Sequence, residues 1–217
     1  RIKSNTMTVI LIIILSFAIS ALVKDSMLPY MASHWNFKGE ADGYMPRLAA
    51  LFLLPIVSLI IFLLLALIPK LDPLYKNIED FRAHYDIFVV LMVSFFFYIH
   101  IITIFWNLRM PLNMNQMLSP AIAILIFYLG ILIYNSKRNW SIGIRTAWSM
   151  SSDYVWEKTH QLGGRLFTAA GIFCLLGVIF PAYAILFILV PILLASLTSV
   201  LYSYIISEEY KHPKKKA

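Results

Sequence analysis

The amino-acid sequence predicts an all-α integral membrane protein with six transmembrane helices and both termini in the cytoplasm. Three observations support this prediction: the composition, the lengths of the apolar runs, and the placement of Lys and Arg. The 217-residue chain is 60% hydrophobic and 13% charged, whereas soluble domains are about 45–50% apolar and about 25% charged. The composition therefore indicates a protein that is embedded in lipid.

Six apolar segments approach the roughly 20 residues that a membrane-spanning helix needs. The last apolar run, Leu166–Ile206, is too long for one helix. Pro181 is its natural break, because proline removes a backbone donor and clashes with the preceding turn. None of the 11 Asp and Glu residues lies well inside a span, as the cost of a carboxylate in hydrocarbon requires. The first four spans are predicted at Thr6–Val23, Leu48–Ile68, Asp86–Trp106 and Gln116–Tyr134.

The distribution of Lys and Arg between loops predicts the orientation. With a cytoplasmic N-terminus, the outer segments hold Lys24, Lys38, Arg47 and Arg109. The inner segments hold Arg1, Lys3, Lys70, Lys76, Arg82, Lys137, Arg138, Arg145, Lys158, Arg165, Lys211, Lys214, Lys215 and Lys216. We therefore expect an N-terminal three-helix region, 1–115, with an extracytoplasmic loop at 24–47. The C-terminal three-helix region, 116–217, would carry a cytoplasmic loop at 135–165 and a basic tail.

The first apolar run also has features of a cleavable signal peptide. A basic start, an apolar stretch and the small residues of Ala18–Ala21 resemble such a segment and its cleavage site. Cleavage would leave five spans and place the new N-terminus outside. The six-span topology agrees with the charge bias at nearly every loop and is preferred.

Several function classes have no support in the sequence. The single cysteine, Cys174, excludes an intramolecular disulfide and a zinc site with four cysteine ligands. No P-loop, GxSxG, HExxH or GxGxxG motif occurs. The basic residues flank apolar runs and form no soluble basic face of the kind that binds nucleic acid. We expect no enzyme, no cofactor and no direct contact with nucleic acid.

The outer loop contains the turn-rich stretch NFKGEADGY. Gly39 and Gly43 permit tight turns with positive φ, and Asp42–Gly43 is a strong turn dipeptide. One interpretation is a compact loop in which Asn36 and Asp42 cap their own backbone. A metal site at His34, Glu40 and Asp42 lacks the spacing that would support it. The functional interpretation is a receptor face for an extracytoplasmic ligand, with contacts from His34, Trp35, Asn36, Gly39, Glu40, Asp42 and Gly43.

The inner loop forms a second polar segment. A cap at Ser151, Ser152 or Asp153 and an end at Gly163–Gly164 predict a short amphipathic helix. This helix would lie at the cytoplasmic interface, or it would form a docking surface for a cytoplasmic partner. The basic residues expected near anionic headgroups are Arg145, Lys158 and Arg165.

A few polar or small residues within the spans predict contacts between helices. His100 lies in the outer half of the third span, and we expect it to be packed and hydrogen-bonded to another helix. Asn107, at the outer end of that span, can meet the outer loop, as can Arg109. The pairs Gly164–Thr168 and Ala170–Cys174 predict close helix packing.

The two loops together resemble the SdpI family of bacterial membrane proteins, including its N-terminal domain of unknown function. The resemblance covers roughly residues 7–206, and Ala147 stands where the family pattern has Pro. The outer pattern falls on Pro29, His34, Trp35, Asn36, Gly39, Asp42 and Gly43. The inner pattern falls on Asn139, Gly143, Arg145, Thr146, Trp156, Lys158, Thr159, His160, Gly164 and Arg165.

The resemblance implies an immunity or signal-transduction protein of the bacterial cell membrane. Its implied partners are the lipid bilayer, a secreted membrane-active peptide toxin and a small cytoplasmic autorepressor. Two other functions remain open from the residues alone. One is a small-solute or lipid transporter, for which the spans offer only His100 and a few hydroxyl groups. The other is a membrane enzyme that uses His34, Glu40 and Asp42.

Overall fold

The computed structural model describes residues 2–211, with side chains from residue 5 onward. Arg1, the side chain of Lys3 and the basic tail with Lys214–Lys216 lie outside the described residues. The elements are α1 (Ile2–Val23), β1 (Tyr30–Trp35), β2 (Ala41–Pro46), α2 (Arg47–Leu71), α3 (Tyr75–Asp80), α4 (Arg82–Asn107), α5 (Met114–Asn135), α6 (Asp153–Cys174), α7 (Leu176–Ile179) and α8 (Ala184–Lys211). Short 3₁₀ turns occupy Lys24–Ser26, Ser149–Ser151 and Pro181–Tyr183.

The prediction of six spans is confirmed. Within residues 2–211, six helical segments are long and apolar enough to cross a membrane. Large apolar side chains on these helices point outward, as contact with lipid requires. The predicted break at Pro181 is confirmed too, because α7 ends at Ile179 and a 3₁₀ turn leads into α8. The segments are Asn5–Ser26, Arg47–Leu71, Arg82–Asn107, Met114–Asn135, Asp153–Ile179 and Pro181–Lys211.

The connections between the helices lie on two faces of the bundle. We call the face that carries β1 and β2 the hairpin face, and the face that carries the irregular segment 136–152 the loop face. Helices α1, α2 and α4 pack together, α5, α6 and α8 pack together, and α4 contacts α5. Helix α4 is therefore shared by the two groups and extends from one face to the other.

The prediction of a short amphipathic helix in the inner loop is wrong. Ser152 does cap a helix, since its Oγ accepts the backbone N–H of Val155 at 3.1 Å. That helix is α6, however, and it continues through Gly163 and Gly164 for 22 residues. The irregular part of the predicted loop therefore ends at Ser152, and the rest of the loop is continuous with the fifth span.

Glycine residues bring α5 and α6 close together. A Cβ atom on Gly164 would lie 2.7 Å from the carbonyl oxygen of Gly130, and one on Gly130 would lie 2.6 Å from that of Gly164. Such distances are shorter than real Cβ contacts. Thr168 donates its hydroxyl to the Gly164 carbonyl at 2.8 Å. The predicted close packing at Gly164–Thr168 is confirmed, and Cys174 is fully buried, as a packing residue should be.

We expect Gly130→Val to lower the free energy of unfolding by about 1–3 kcal/mol, because overpacking would force α5 away from α6. Thermal unfolding in detergent measures the change. Ala121→Val is the matched control, since Ala121 lies on the same helix and lines an open cleft between α4 and α5. Equal melting temperatures for the two variants would show that the approach at Gly130 does not limit packing.

Candidate functional sites at the two membrane faces

The predicted outer loop forms an antiparallel β-hairpin. Tyr30 pairs with Pro46 and Ala32 with Tyr44, and the register is irregular between Ala32 and Trp35. Met31 is buried against a cluster that includes residues of α2 and α4. The hairpin therefore packs on the ends of the helices and is not a free loop.

The prediction of a turn at Asp42–Gly43 is wrong, because both residues lie within β2. Gly43 pairs with His34, and a Cβ atom on Gly43 would lie 2.8 Å from the Cβ of His34. Glycine therefore serves a close approach between the strands. Asp42 does not cap its own turn, because its Oδ1 lies 2.5 Å from His34 Nδ1. Both side chains are exposed, by 46% for Asp42 and 71% for His34.

Asn36 organises the turn between the two strands. Its Oδ1 accepts the backbone N–H groups of Lys38 at 2.9 Å and Glu40 at 3.1 Å. Its Nδ2 donates to Glu40 Oε2 at 3.0 Å. Gly39 has φ +81°, the left-handed conformation that glycine adopts without strain. The predicted capping role of Asn36 is thus confirmed, and its polar atoms are occupied within the turn.

Asn107, at the end of α4, holds the hairpin to the helix bundle. Its Oδ1 accepts the N–H of Ala32 at 2.8 Å, and its Nδ2 donates to the Ala32 carbonyl at 3.1 Å. The same Nδ2 also donates to the backbone carbonyl of Thr103 in α4 at 2.9 Å. Beside it, the rings of Trp35 and Trp106 meet edge to face at 5.5 Å. The predicted contact between Asn107 and the outer loop is confirmed.

His100 is packed between helices, as predicted. It is 1% exposed, and its Nε2 lies 3.0 Å from Ser20 Oγ on α1. The Ser20 hydroxyl donates to the Leu51 carbonyl of α2 at 2.7 Å, so its oxygen accepts from Nε2–H. This pair joins α1, α2 and α4 below the hairpin.

Asn139 organises the irregular segment on the loop face. Its Oδ1 accepts from the N–H groups of Ser141 at 2.9 Å and Ile142 at 2.6 Å. Its Nδ2 donates to the carbonyls of Lys137 at 2.8 Å and Ile142 at 3.0 Å. Asn139 is fully buried, so all of these contacts replace water. It belongs to the inner family pattern for a structural reason.

Asp72 anchors the same segment from the end of α2, and sequence reasoning missed it. Its Oδ2 accepts from the Trp140 N–H at 3.0 Å and the Ser141 hydroxyl at 2.6 Å. Its Oδ1 accepts from the Leu74 N–H at 2.7 Å. An Asp before Pro73 signals a local turn, but nothing in that signal identifies a partner 68 residues away.

His160 and Trp156 fix the middle of the irregular segment. His160 Nε2 accepts the Ile144 N–H at 2.9 Å, and its Nδ1 faces the Trp156 carbonyl at 2.8 Å. His160 is therefore neutral, with its proton on Nδ1. The two rings stack at 3.8 Å, and Trp156 Nε1 donates to the Ser136 carbonyl at 2.9 Å. Gly143 has φ +115°, and a Cβ there would overlap His160.

Four other residues of the inner pattern lie nearer the surface, whereas Thr159 and Gly164 are buried in α6. Thr146 Oγ1 lies 2.9 Å from Ser203 Oγ of α8. Arg145 donates to the Trp140 carbonyl. Lys158 Nζ lies 5.7 Å from the centre of the Tyr154 ring, and Arg165 is similarly placed 5.8 Å from the Tyr134 ring. The buried residues of the pattern position the segment, while the basic residues face outward.

A polar cavity of about 540 Å³ lies on the loop face between α3, α4, the end of α5 and the start of α6. Arg138 Nε lies 2.7 Å from Asp153 Oδ1 in this cavity. Asn77 Nδ2 donates to the Arg138 carbonyl at 2.7 Å. No group of three or more potential metal ligands occurs within residues 2–211. The charged side chains that line the cavity are Asp80, Lys137, Arg138, Asp153 and Glu157.

Comparisons with known proteins confirm the resemblance inferred from the two loops. Residues 135–204 match the model of the SdpI/YfhL protein family. Residues 11–59 match a domain of unknown function, DUF1648. The chain is 23% identical over 203 residues to the immunity protein SdpI of Bacillus subtilis (strain 168). These aligned residues cover 93% of this chain and 95% of that protein. No solved structure matches.

We expect Asn107→Ala to loosen the hairpin, because the Ala32 peptide would lose both of its side-chain partners. Each lost bond costs about 1 kcal/mol, so amide hydrogen exchange at 30–46 should accelerate by roughly tenfold or more. Asn135→Ala is the control, since the Asn135 amide bonds to its own helix at the opposite face. Unchanged exchange in Asn107→Ala would show that strand pairing alone holds the hairpin.

We expect His160→Leu to lower the free energy of unfolding by about 1–3 kcal/mol, because the Ile144 N–H would lose its acceptor. Thermal unfolding in detergent measures this loss. His84→Leu provides the matched control, because His84 is partly exposed at the same cavity. A similar small change in both variants would contradict the bridging role of His160.

Proposed function

We propose, from the confirmed resemblance to the SdpI/YfhL protein family, that this multi-pass membrane protein is an immunity protein of the bacterial cell membrane. It recognises a secreted membrane-active peptide toxin at its hairpin face and protects the cell that produces the toxin. The similarity to an immunity protein along 93% of the chain supports this proposal. The excess of Lys and Arg in the loop-face segments supports an extracytoplasmic hairpin and cytoplasmic termini.

The observation that carries the proposal is a hairpin held firmly at the membrane boundary with an amphipathic outer surface. Phe37 and Tyr44 are 65% and 61% exposed. The same hairpin carries the exposed acidic residues Glu40 and Asp42 and the imidazole of His34. Exposed aromatic rings with nearby carboxylates suit a peptide that is both apolar and basic. Such a peptide would meet this surface as it reaches the lipid headgroups.

The hairpin and the loop face share α4, which supports a signalling role. Asn107 holds the hairpin at one end of α4, while Phe81 and His84 line the polar cavity at the other end. A toxin that binds two arrangements of α4 with different affinities would change the cavity. A tenfold shift needs a difference of about 1.4 kcal/mol. We propose this cavity as the docking site of a small cytoplasmic autorepressor.

The alternative of a small-solute or lipid transporter has less support. Transport needs a water-accessible polar path near the middle of the membrane. His100 is the principal candidate for such a path, and its imidazole is buried and bonded to Ser20.

We also propose a division of the chain at 115/116. It would separate the region that carries the hairpin from the region that carries the irregular segment.

We expect the double substitution His34→Ala and Asp42→Ala to reduce protection to the level of a vector control. These side chains are exposed and bond mainly to each other, so their loss should spare the fold. The assay measures survival of a sensitive bacterium that expresses the chain and is challenged with culture supernatant of the source strain. Membrane abundance is quantified for every variant. Trp35→Ala and Asn36→Ala are less informative, because both would disturb the hairpin itself.

The matched control is the double substitution Lys24→Ala and Asp25→Ala, which also removes two exposed side chains on the hairpin face. It should retain protection. Full protection by the hairpin variant at normal abundance would contradict recognition at this surface. Equal loss in both variants would indicate a general effect of removing polar side chains from the hairpin face.

A further inference from the structure

Arg165 is a cation on the exposed surface of α6, and it has no polar partner among residues 5–211. It makes no hydrogen bond and no ion pair with any residue in the described range. Its guanidinium lies 5.8 Å from the centre of the Tyr134 ring. The other described arginines on the loop face all donate to an acceptor, as Arg82, Arg138 and Arg145 show. Arg165 is thus available to a ligand.

Arg165 lies at the mouth of a cleft of about 330 Å³ between α5 and α6. The cleft follows α6 past Thr168 and Ala169 to Ile172, which is about 10 Å further into the membrane span. The Thr168 hydroxyl donates to the carbonyl of Gly164. Because this polar group is already bonded within the helix, the wall of the cleft at Thr168 presents mainly apolar surface. The cleft therefore combines one cation at its entrance with an apolar groove above it.

The depth of this entrance matches a membrane boundary. Tyr134, which lies beneath the Arg165 guanidinium, is the second-last residue of α5. Two turns of α6 further on, the surface is apolar, and Ile172 is 57% exposed. An unpaired guanidinium at the edge of hydrocarbon is unfavourable, and a phosphate group at the same depth removes that cost.

We propose that the α5–α6 cleft binds an anionic phospholipid of the leaflet at the loop face. Its phosphate contacts Arg165, whose planar guanidinium presents paired donors suited to phosphate oxygens. One acyl chain lies along Ala169 and Ile172. The groove opens outward within the membrane span, so a lipid reaches it without any movement of the helices.

Native mass spectrometry of the purified full chain tests this proposal, with phosphatidylglycerol and phosphatidylcholine as probes. We expect Arg165→Gln to reduce the retention of phosphatidylglycerol about tenfold, since one charge-assisted contact is lost. The matched control is Lys158→Gln, which removes one charge from the same helix outside the cleft and should change retention by less than about twofold. Phosphatidylcholine should be retained weakly by all of these proteins.

A second variant tests the apolar groove without changing the charge. Ala169→Phe would fill the cleft, and we expect it to reduce phosphatidylglycerol retention while Arg165 stays in place. It also keeps the proposal testable if Arg165→Gln fails to fold. Equal losses in Arg165→Gln and Lys158→Gln, or unchanged retention in Ala169→Phe, would overturn the proposal. Displacement of the lipid by millimolar inorganic phosphate would show that the site takes free phosphate instead.

Discussion

Backbone that leaves a helix and is buried at a membrane face must find its hydrogen-bond partners within the protein, and asparagine and aspartate side chains supply them here. Asn107 pairs both peptide groups of Ala32, and Asn139 and Asp72 do the same for the irregular segment. These side chains are buried or partly buried, so water offers no replacement for the bonds. Both candidate surfaces therefore depend on a few contacts between side chain and backbone.

These contacts attach the two faces to one helix bundle. The hairpin is fixed to the end of α4, and the Ser20–His100 pair joins that helix to α1 and α2. The irregular segment is fixed to α2 through Asp72 and to α6 through His160. The proposed signal from the hairpin would therefore pass through the helices and not through a flexible loop.

The residues that carry the family resemblance have two different roles. Asn36 and Asn139 shape the backbone through hydrogen bonds that occupy their side-chain polar atoms. Gly143 does so because it has no side chain, which permits its positive φ and the close approach of His160. His34, Asp42 and Arg165 face outward. The pattern therefore contains buried residues that shape the architecture as well as exposed residues that are candidates for ligand contact. The exposed subset is where we place recognition.

The sequence by itself determined the six spans, the break at Pro181 and the burial of His100, and it limited the helix cap to Ser151, Ser152 or Asp153. These features follow from hydrophobic length, proline geometry and the cost of polar groups in lipid, all of which are properties of a local segment. Only the tertiary structure decided that Gly43 lies opposite His34 inside a hairpin and that α6 continues through its glycines. Those outcomes depend on which distant backbones approach each other, and composition and spacing along one chain do not contain that information.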